Sequence, residues 1–349
     1  MVTEKKVIDD EGLNQFVSAL IQHGYAVIAP TIKADRVFYG VVEKGSEFVR
    51  EYSNAQNSPK DFLFPRMEEI LRFTDDETVV ETFPKAVKRV FLGVRPCDAM
   101  AIKHLDKLFN WDYADTHYDK RRGDAVLIGL ACNTPKSSCF CTSLGGGLGP
   151  HHKKNVDMML TKLDRSSYLI EAVSELGEAL INLLECGVLA TSSHDEKALE
   201  LREKAEKMIT KRLNLDETFK VMDDNFDSAY WKTVARKCIG CGICTYLCPT
   251  CHCFDIQDEG LFRLRFWDSC QFALYSKHAS GHNPRDQPHK RFRNRVYHKF
   301  VYFKKNLDEA LCVGCGRCKT YCPSKVDIFK IVSEAEAGIS EYRSVEIPK

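Results

Sequence analysis

The chain has 349 residues, of which 44% are hydrophobic and 28% charged, a composition typical of a water-soluble protein large enough for two packed domains. Its formal net charge of +1 gives no overall field that would draw it to nucleic acid or to a membrane surface. No apolar run approaches about 18 residues and the N-terminal stretch lacks an apolar core, so we expect neither a membrane-spanning helix nor a secretory signal.

The first half of the chain has the alternating pattern of an α/β domain. Leu13, Phe16 and Leu20 repeat at helical spacing and predict an amphipathic helix, which Gly24 would end. Short apolar runs further along predict four strands, at residues 25–29, 37–42, 87–94 and 125–131. The last two runs are almost continuously apolar, as in strands buried on both faces, and a helical pattern between them predicts a βαβ unit in a partly parallel sheet.

The first domain is expected to close with a strand hairpin and a helix that ends near residue 185. We therefore predict that this domain spans residues 1–190. Ser193 and Glu196 then have the spacing of a capping box, which predicts the start of a charged helix. That helix belongs to a predicted solvated linker at residues 191–235.

Two cysteine runs dominate the second half of the chain. Each has the form C-x2-C-x2-C-x3-C-P, the spacing that wraps thiolates around a cubic iron–sulfur cluster. Because the fourth cysteine of such a run binds the cluster of the other run, we predict two exchanged ligand sets. The first [4Fe-4S] set is Cys238, Cys241, Cys244 and Cys322, and the second is Cys312, Cys315, Cys318 and Cys248.

The two runs are separated by 63 residues, far more than in short bacterial ferredoxins. Helical patterns flank both runs, so we predict a mostly helical, ferredoxin-like dicluster domain at 236–335, with an inserted subdomain at 254–311 and a tail at 336–349. The overall prediction is an α+β fold. A pair of zinc sites is the alternative for these cysteines, but zinc sites use separated pairs of ligands rather than an even triplet closed by Cys-Pro.

Four further cysteines fall in the predicted α/β domain. Cys97 and Cys132 each follow a predicted strand, and the carboxyl ends of neighbouring parallel strands meet at one sheet edge, where ligands bind. Cys139 and Cys141 follow in a loop that can fold over that edge. We hypothesise that these four bind a third iron–sulfur cluster, [4Fe-4S] by preference, with zinc, [2Fe-2S] and unmetallated thiols as alternatives. The helix expected after Cys97 is predicted to lower the pKa of its thiol, which favours the thiolate that a metal needs.

Other chemistry-bearing residues receive simpler interpretations. Cys251, Cys253 and Cys270 lie just beyond the first run and are interpreted as spare thiols of a cysteine-dense region, and Cys186 as a core residue. The glycine-rich stretch at 145–150 fits neither a dinucleotide motif nor a P-loop. We interpret it as a loop that shapes the third cysteine site.

A basic segment and two histidines complete the candidates. His151 and His152, beside the glycine-rich stretch, are predicted to be solvated. Residues 277–305 contain nine Lys or Arg residues against one Asp, with aromatic residues interleaved. The apolar stripe of this segment, which includes Phe292 and Phe300, favours a core helix with a basic outer face. Partner docking and nucleic-acid binding are the alternatives.

Several segments together resemble a known family. They are Arg95-Pro-Cys97-Asp98, Cys139-Phe-Cys141, Cys248-Pro-Thr-Cys-His-Cys, Trp267-Asp-Ser-Cys270 and Arg295-Val-Tyr-His-Lys. Over residues 85–335 the chain looks like the iron–sulfur beta subunit of cytoplasmic sulfhydrogenases and the A subunit of anaerobic sulfite reductase. It is also similar to a subunit that accompanies flavin oxidoreductases feeding heterodisulfide reductase.

The resemblance implies an electron relay between a flavoprotein subunit that takes hydride from NAD(P)H and a separate catalytic subunit, which would be a hydrogenase, a sulfite reductase or a heterodisulfide reductase. It also implies a third cluster in the N-terminal half, and flavin and nicotinamide sites on another chain. We therefore expect an anaerobic, cytoplasmic oxidoreductase complex in which this subunit has no catalytic residue, no nucleic-acid partner and no membrane insertion.

Some alternatives remain open from the sequence. Arg95 and Arg317 lie next to cysteines and are expected either to tune the clusters or to be solvated. A self-contained flavin- or deazaflavin-dependent reductase, with the clusters as internal wiring, is the rival to the relay. A regulatory cluster sensor is a third interpretation.

Overall fold

A computed structural model describes residues 5–74 and 78–343, which form a mixed α+β fold, as predicted. The strands are β1 (Lys5–Asp9), β2 (Ala26–Lys33), β3 (Arg36–Val42), β4 (Met67–Phe73), β5 (Val79–Glu81), β6 (Arg89–Val94), β7 (Ala125–Leu130), β8 (Met158–Lys162), β9 (Ser167–Ala172), β10 (Val188–Leu189), β11 (Phe254–Glu259) and β12 (Phe262–Trp267). The α-helices are α1 (Asp10–Gln22), α2 (Lys60–Leu63), α3 (Pro96–Phe109), α4 (Thr116–Gly123), α5 (Glu175–Ile181), α6 (Ser192–Met208), α7 (Leu215–Asp223), α8 (Tyr230–Val234), α9 (Ile243–Tyr246), α10 (Pro288–Tyr297), α11 (Phe303–Leu307), α12 (Arg317–Thr320), α13 (Ile328–Ser333) and α14 (Ala335–Arg343). A π-helical segment, His298–Tyr302, joins α10 to α11.

The larger sheet lies in the first half of the chain. Among the described residues it has eight strands in the order β10-β1-β9-β8-β7-β6-β2-β3. The central strands β2, β6, β7 and β8 are parallel, and the outer pairs are antiparallel. Every residue of β7 is buried, which is typical of a parallel strand covered on both faces. The predicted βαβ unit of β6, α3 and β7 is confirmed, and so is the hairpin of β8 and β9.

A smaller antiparallel sheet joins the two halves of the chain. Its order is β11-β12-β4-β5, so the hairpin that follows the first cysteine run pairs with strands from the first half. Arg265 of β12 is buried, with its Nε 2.8 Å from Glu68 Oε1 and a second ion pair to Asp115. Trp267 packs on Phe64, with ring centroids 5.8 Å apart. A lone hairpin is marginally stable in water, so this pairing gives the second half of the chain a fixed position on the first.

The second half is mostly helical and has a core of its own. Trp231 of α8 and Tyr297 of α10 are buried there, with ring centroids 5.2 Å apart. Phe292 and Phe300 of the basic segment are buried in the same core. The prediction of a core helix is therefore confirmed from Pro288 onward, whereas the predicted basic outer face was wrong for Arg295 and Lys299, which are buried.

The charged helix predicted near residue 193 is α6, the longest helix of the described chain. Thr191 caps it and His194 completes the capping box, so the cap predicted at Ser193 and Glu196 was wrong by two residues. The Thr191 backbone N–H donates to Nδ1 of His194 at 3.0 Å, where the familiar motif would use Glu or Gln. Neither α6 nor any other described helix has the length and apolar character needed to cross a membrane.

Candidate iron-sulfur centre

Glycines in left-handed conformations shape both cysteine runs. Gly240 and Gly242 have φ angles of +69° and +75°, and Gly314 and Gly316 repeat this conformation at +62° and +74°. Because glycine adopts such angles without steric cost, each run turns tightly before it enters a short helix, α9 or α12. A Cβ on Gly314 would lie 2.5 Å from the backbone nitrogen of Cys141, so the loop of the third cysteine group packs directly on the second run.

The first predicted ligand set lines a single cavity. Cys238, Cys241, Cys244 and Cys322 all contribute to its wall, together with Cys318 of the second predicted set, Arg295 and several apolar side chains. Cys322 comes from the second run, yet its thiol lies near those of Cys238 and Cys244. Burial raises the pKa of the Cys238 and Cys244 thiols, whereas Cys241 is exposed. One cavity thus brings Cys322, and also Cys318, of the second run beside the first three cysteines of the first run.

The second predicted ligand set is more deeply buried. Cys312, Cys315 and Cys318 lie close to Cys248, the fourth cysteine of the first run. Burial raises the pKa of Cys318 to about 12 and also raises the pKa values of Cys312 and Cys315. Cys248 differs, because a hydrogen bond from the thiol of Cys251 holds its pKa well below the usual range.

The third predicted set gathers at the edge of the larger sheet. Cys97 lies in the first turn of α3, just after β6, and Cys132 follows β7. Cys139 and Cys141 lie near Cys132, and Cys97 lies near Cys141. Burial raises the pKa of the Cys97 thiol well above its usual range. The predicted lowering of this pKa was wrong, because the loss of water around the thiol outweighs the effect of the helix N-terminus.

The glycine-rich stretch folds back onto the same sheet edge. The carbonyl of Pro150 accepts a hydrogen bond from the Cys132 N–H at 2.8 Å. His151 is only 8% exposed behind it, and burial lowers the pKa of this histidine to about 4. The prediction that His151 is solvated was therefore wrong, while His152 is half-buried.

The three cysteine sets form a row. Sγ of Cys139 lies 3.8 Å from the carbonyl oxygen of Cys315, and Cys97 is also a near neighbour of Cys315. These contacts join the third set to the second. Cys248 lies near Cys244, which joins the second set to the first.

Two arginines that lie next to cysteines in the sequence hold this row together. Arg317 forms a bidentate ion pair with Asp98 at 2.7 and 2.8 Å, and both side chains are buried. Arg95 is also buried and donates to the carbonyl groups of Leu130 and Ala131, where β7 ends, at 3.1 and 2.5 Å. The alternative that these arginines are solvated was wrong for both. Arg317 links the second set to α3, and Arg95 fixes the strand end that leads to the third set.

Three buried cations surround the chain just after the first cysteine run. Lys60, Arg295 and Lys299 are each at most 5% exposed, and within the described residues none of them forms an ion pair with a carboxylate. Nζ of Lys299 lies 2.8 Å from Oγ1 of Thr250. Arg295 Nη1 donates to Sγ of Cys251 at 3.5 Å, and Lys60 Nζ donates to the Cys251 carbonyl at 2.8 Å. Buried cations need a compensating anion, and a cluster held by four thiolates supplies one.

The spacing of the thiols also bears on the kind of metal centre. In the part of the chain that the structure describes, no three His, Cys, Asp or Glu side chains converge on a point that a single ion could occupy. A tetrahedral zinc ion bound at about 2.3 Å needs sulfur atoms less than about 4 Å apart. A cube with iron at four corners keeps its ligands further apart.

Comparison with known proteins supplies the family. Residues 237–326 match the 4Fe-4S dicluster domain, and this segment contains both cysteine runs. Sulfhydrogenase 2 subunit beta of Pyrococcus furiosus is 32% identical to this chain over 299 residues, which cover 84% of this chain and 87% of that protein. The chain belongs to the sulfhydrogenase beta-subunit family. As a member of that family it is an iron–sulfur electron-transfer subunit with 4Fe-4S clusters, and the resemblance drawn from the sequence is confirmed.

The sequence analysis of this sulfhydrogenase-type subunit missed the buried cations. Arg295 and Lys299 are four residues apart and therefore share one helix face, adjacent to the apolar stripe of Phe292 and Phe300. The position of these basic residues beside a buried apolar stripe is the sequence signal that could have revealed them. Lys60 gave no such signal, because it lies in a four-residue helix that only tertiary contacts bring to the site.

Proposed function

We propose that this subunit holds three [4Fe-4S] clusters and carries electrons between two other subunits. One partner is a flavoprotein that exchanges hydride with NAD(P)H, and the other is a catalytic subunit of the hydrogenase, sulfite reductase or heterodisulfide reductase type. The observation that carries the proposal is the row of cysteine sets, joined by the 3.8 Å approach of the Cys139 sulfur to the Cys315 carbonyl oxygen and by the closeness of Cys248 to Cys244. The relative's name, a sulfhydrogenase subunit, supports a hydrogenase as the catalytic partner.

The proposed ligands are the three cysteine sets described above. They are Cys238, Cys241, Cys244 and Cys322; Cys312, Cys315, Cys318 and Cys248; and Cys97, Cys132, Cys139 and Cys141. When bound, a cluster of this type takes up and releases one electron at a time.

The protein's contribution at these sites is burial and positive charge. Arg295 lies near Cys244 of the first set and near Cys318 of the second, so it faces both proposed clusters. Lys299 lies near Cys248 and Cys312 of the second set. Cations in these positions stabilise the more negative, reduced state of a nearby centre and thereby raise its reduction potential.

One end of the row reaches the protein surface, where we propose that a partner docks. Cys241 is exposed there, Ile239 is 69% exposed, and Lys237 and Lys325 are exposed beside the cysteines. Among the described residues, no carboxylate lines the cavity of the first set. An apolar contact surrounded by positive charge suits a partner whose contact face is acidic. We assign this face to the entry or exit of electrons.

Iron and acid-labile sulfide analysis of the anaerobically purified chain tests the number of clusters. The proposal predicts about 12 iron atoms per chain, against about 8 for the dicluster domain alone. The variant Cys97→Ala, Cys132→Ala should lose about four of them. Cys186→Ala serves as the matched control, because Cys186 lies outside all three sets and should leave the iron content unchanged. A double variant that keeps its full iron content would exclude the third cluster.

A further inference from the structure

The threonine that follows the first cysteine run lies between a buried lysine and the sulfur of a proposed ligand. Thr250 comes two residues after Cys248 and is 0% exposed. Its Oγ1 lies 2.8 Å from Nζ of Lys299 and 3.4 Å from Sγ of Cys248. One hydroxyl group therefore bridges a buried cation and a proposed cluster ligand.

The direction of both hydrogen bonds follows from the chemistry of the three groups. A lysine ammonium has three N–H donors and no acceptor, so Lys299 donates to the Thr250 oxygen. A cysteine that binds iron is a thiolate, and a thiolate only accepts hydrogen bonds. The single hydroxyl proton of Thr250 is therefore directed at the Cys248 sulfur. Lys299 fixes the orientation of a hydroxyl that would otherwise rotate.

Main-chain hydrogen bonds hold both sides of this bridge in place. Nδ1 of His252 lies 3.1 Å from the carbonyl oxygen of Thr250. The carbonyl of Lys299 accepts a hydrogen bond from the Leu311 N–H at 2.9 Å, and Leu311 comes directly before Cys312 of the second set. The segment that carries Lys299 is thus tied to the start of the second cysteine run.

The bridge distinguishes the first cysteine run from the second. Ser324 is the residue of the second run that matches Thr250, because it comes two positions after Cys322. Within the described chain, the Ser324 hydroxyl forms no hydrogen bond to Cys322, whose sulfur accepts instead from the backbone N–H of Val326 at 3.3 Å. The two runs therefore share their cysteine spacing but differ in the group that contacts the fourth sulfur.

We propose that Thr250 raises the reduction potential of the cluster that Cys248 binds. Its hydroxyl, oriented by Lys299, donates a hydrogen bond to the Cys248 sulfur and stabilises the reduced state of that cluster. The inference rests on the proposed function, because it requires a cluster at Cys248. It goes further by naming a residue that acts on one cluster of the row through a direct contact with its ligand.

The physical basis is the charge that the sulfur carries in the two redox states. Reduction by one electron makes the cluster and its ligand sulfurs more negative, so a hydrogen bond to a ligand sulfur becomes stronger. A hydroxyl polarised by an ammonium group is a better donor than one in water contact, because hydrogen bonds in a chain polarise one another. The bridge therefore favours storage of the transferred electron at the second set, in the middle of the row.

Removing the hydroxyl while keeping the branched side chain tests the proposal. In Thr250→Val, we expect the reduction potential of one cluster to fall by about 59 mV, a tenfold change in a one-electron equilibrium, with the iron content unchanged. Thr250→Ser keeps the hydroxyl and should keep the wild-type potential. Redox titration of the anaerobic, cluster-containing chain, monitored by electron paramagnetic resonance (EPR), measures both. Thr218→Val, a buried threonine of α7 outside all three sets, is the matched control.

A spectroscopic measurement separates a hydrogen bond to sulfur from a purely structural role. The hydroxyl proton exchanges with solvent, so wild-type chain whose clusters are assembled in D2O should show shifted iron–cysteine stretching bands in resonance Raman spectra. Thr250→Val should show a smaller shift, and Thr250→Ser should show the wild-type shift. In a Lys299→Met background, Thr250→Val should lower the potential by less than it does alone, because the hydroxyl is no longer oriented.

Four results would overturn the inference. Thr250→Val might keep the wild-type potentials at full iron content, or Thr250→Ser might lower the potential as far as Thr250→Val does. The effects of Thr250→Val and Lys299→Met might add in full, which would exclude orientation by Lys299. Thr250→Val might lose iron, in which case Thr250 would hold the cluster in place rather than tune it. Wild-type protein without iron would contradict the proposed function itself.

Discussion

Among individual residues, the buried lysine and arginine side chains restrict most strongly what their site can contain. Lys299 is 2% exposed and Arg295 is 5% exposed, and the groups they contact are a threonine hydroxyl and a cysteine sulfur. Burying a charged ammonium or guanidinium without an anion is costly. The proposed clusters supply that anion, so these two residues connect the electrostatics of the core with the redox function.

Replacing Lys299 should change the potential of the second cluster in a defined direction. Lys299→Met removes a positive charge beside Cys248 and Cys312, which destabilises the reduced state. We expect the reduction potential to fall, by an amount on the order of 59 mV, which corresponds to a tenfold change in a one-electron equilibrium. An EPR-monitored redox titration measures this. Lys33→Met, at the exposed end of β2, is the control. An unchanged or higher potential in Lys299→Met would contradict the assigned role.

Residue types and spacing led to the three proposed cysteine sets, but the contacts of single residues could not be predicted from the sequence. The pairing of Arg317 with Asp98 joins residues 219 positions apart, and no local pattern specifies such a contact. Likewise, the sequence placed Cys97 at a helix N-terminus but could not show how far the surrounding residues shield its thiol from water. That burial decides the direction of its pKa shift.

Between elements, the close approach of two loops determines how the third set meets the second. Gly314 has a φ of +62°, and the space beside it is filled by the backbone of Cys141. Backbone atoms cannot move aside as a flexible side chain would. The glycine is therefore needed both for its conformation and for the missing side chain.

Gly314→Ala should disturb the third cysteine set. The new Cβ would lie 2.5 Å from the Cys141 nitrogen, so the loop that carries Cys141 must shift. We expect loss of about four irons and a lower thermal midpoint in anaerobic unfolding. Gly260→Ala isolates the cost of the left-handed backbone, about 1–3 kcal/mol, because Gly260 has a φ of +57° with open space around it. This interpretation would be contradicted if both variants lost the same amount of iron, or if neither variant lost any.

Elements with a strong local pattern were predictable, and their long-range pairing was not. The parallel strands β6 and β7 and the hairpin of β8 and β9 follow from apolar runs and their order. The pairing of β12 with β4 brings together residues about 200 positions apart, and it depends on the buried contacts of Arg265 with Glu68. Alternating patterns on short strands fit many partners, so the sequence alone does not choose among them.

For the whole molecule, the three proposed sets lie in a row, and the first of them reaches the protein surface at Cys241. The first set lies beside Ile239, which is 69% exposed, and the third set lies on the sheet edge in the other half of the chain. The grouping of the cysteines into three ligand sets is a prediction from the sequence. The sequence could not predict that the sets stand in a row, because their order depends on the packing of Cys139 against Cys315.

Reversing the charge at the exposed end should weaken transfer to the partner that docks there. Lys237→Glu, Lys325→Glu places negative charge beside Cys241 and opposes an acidic contact face. We expect slower electron exchange with the partner subunit in stopped-flow measurements, and a smaller dependence on ionic strength. Lys33→Glu, a like change on the exposed end of β2, is the control. Equal rates of electron exchange in both variants would show that the partner docks at another surface of the protein.

The exchanged ligand sets are tested most directly by locating iron in anaerobic crystals of the complete chain. An anomalous difference map at the iron absorption edge should show three groups of four iron atoms. The account predicts that Cys322 binds the group held by Cys238, Cys241 and Cys244, and that Cys248 binds the group held by Cys312, Cys315 and Cys318. Each run binding its own cluster with all four of its cysteines, or an absence of iron beside Cys97 and Cys132, would contradict it.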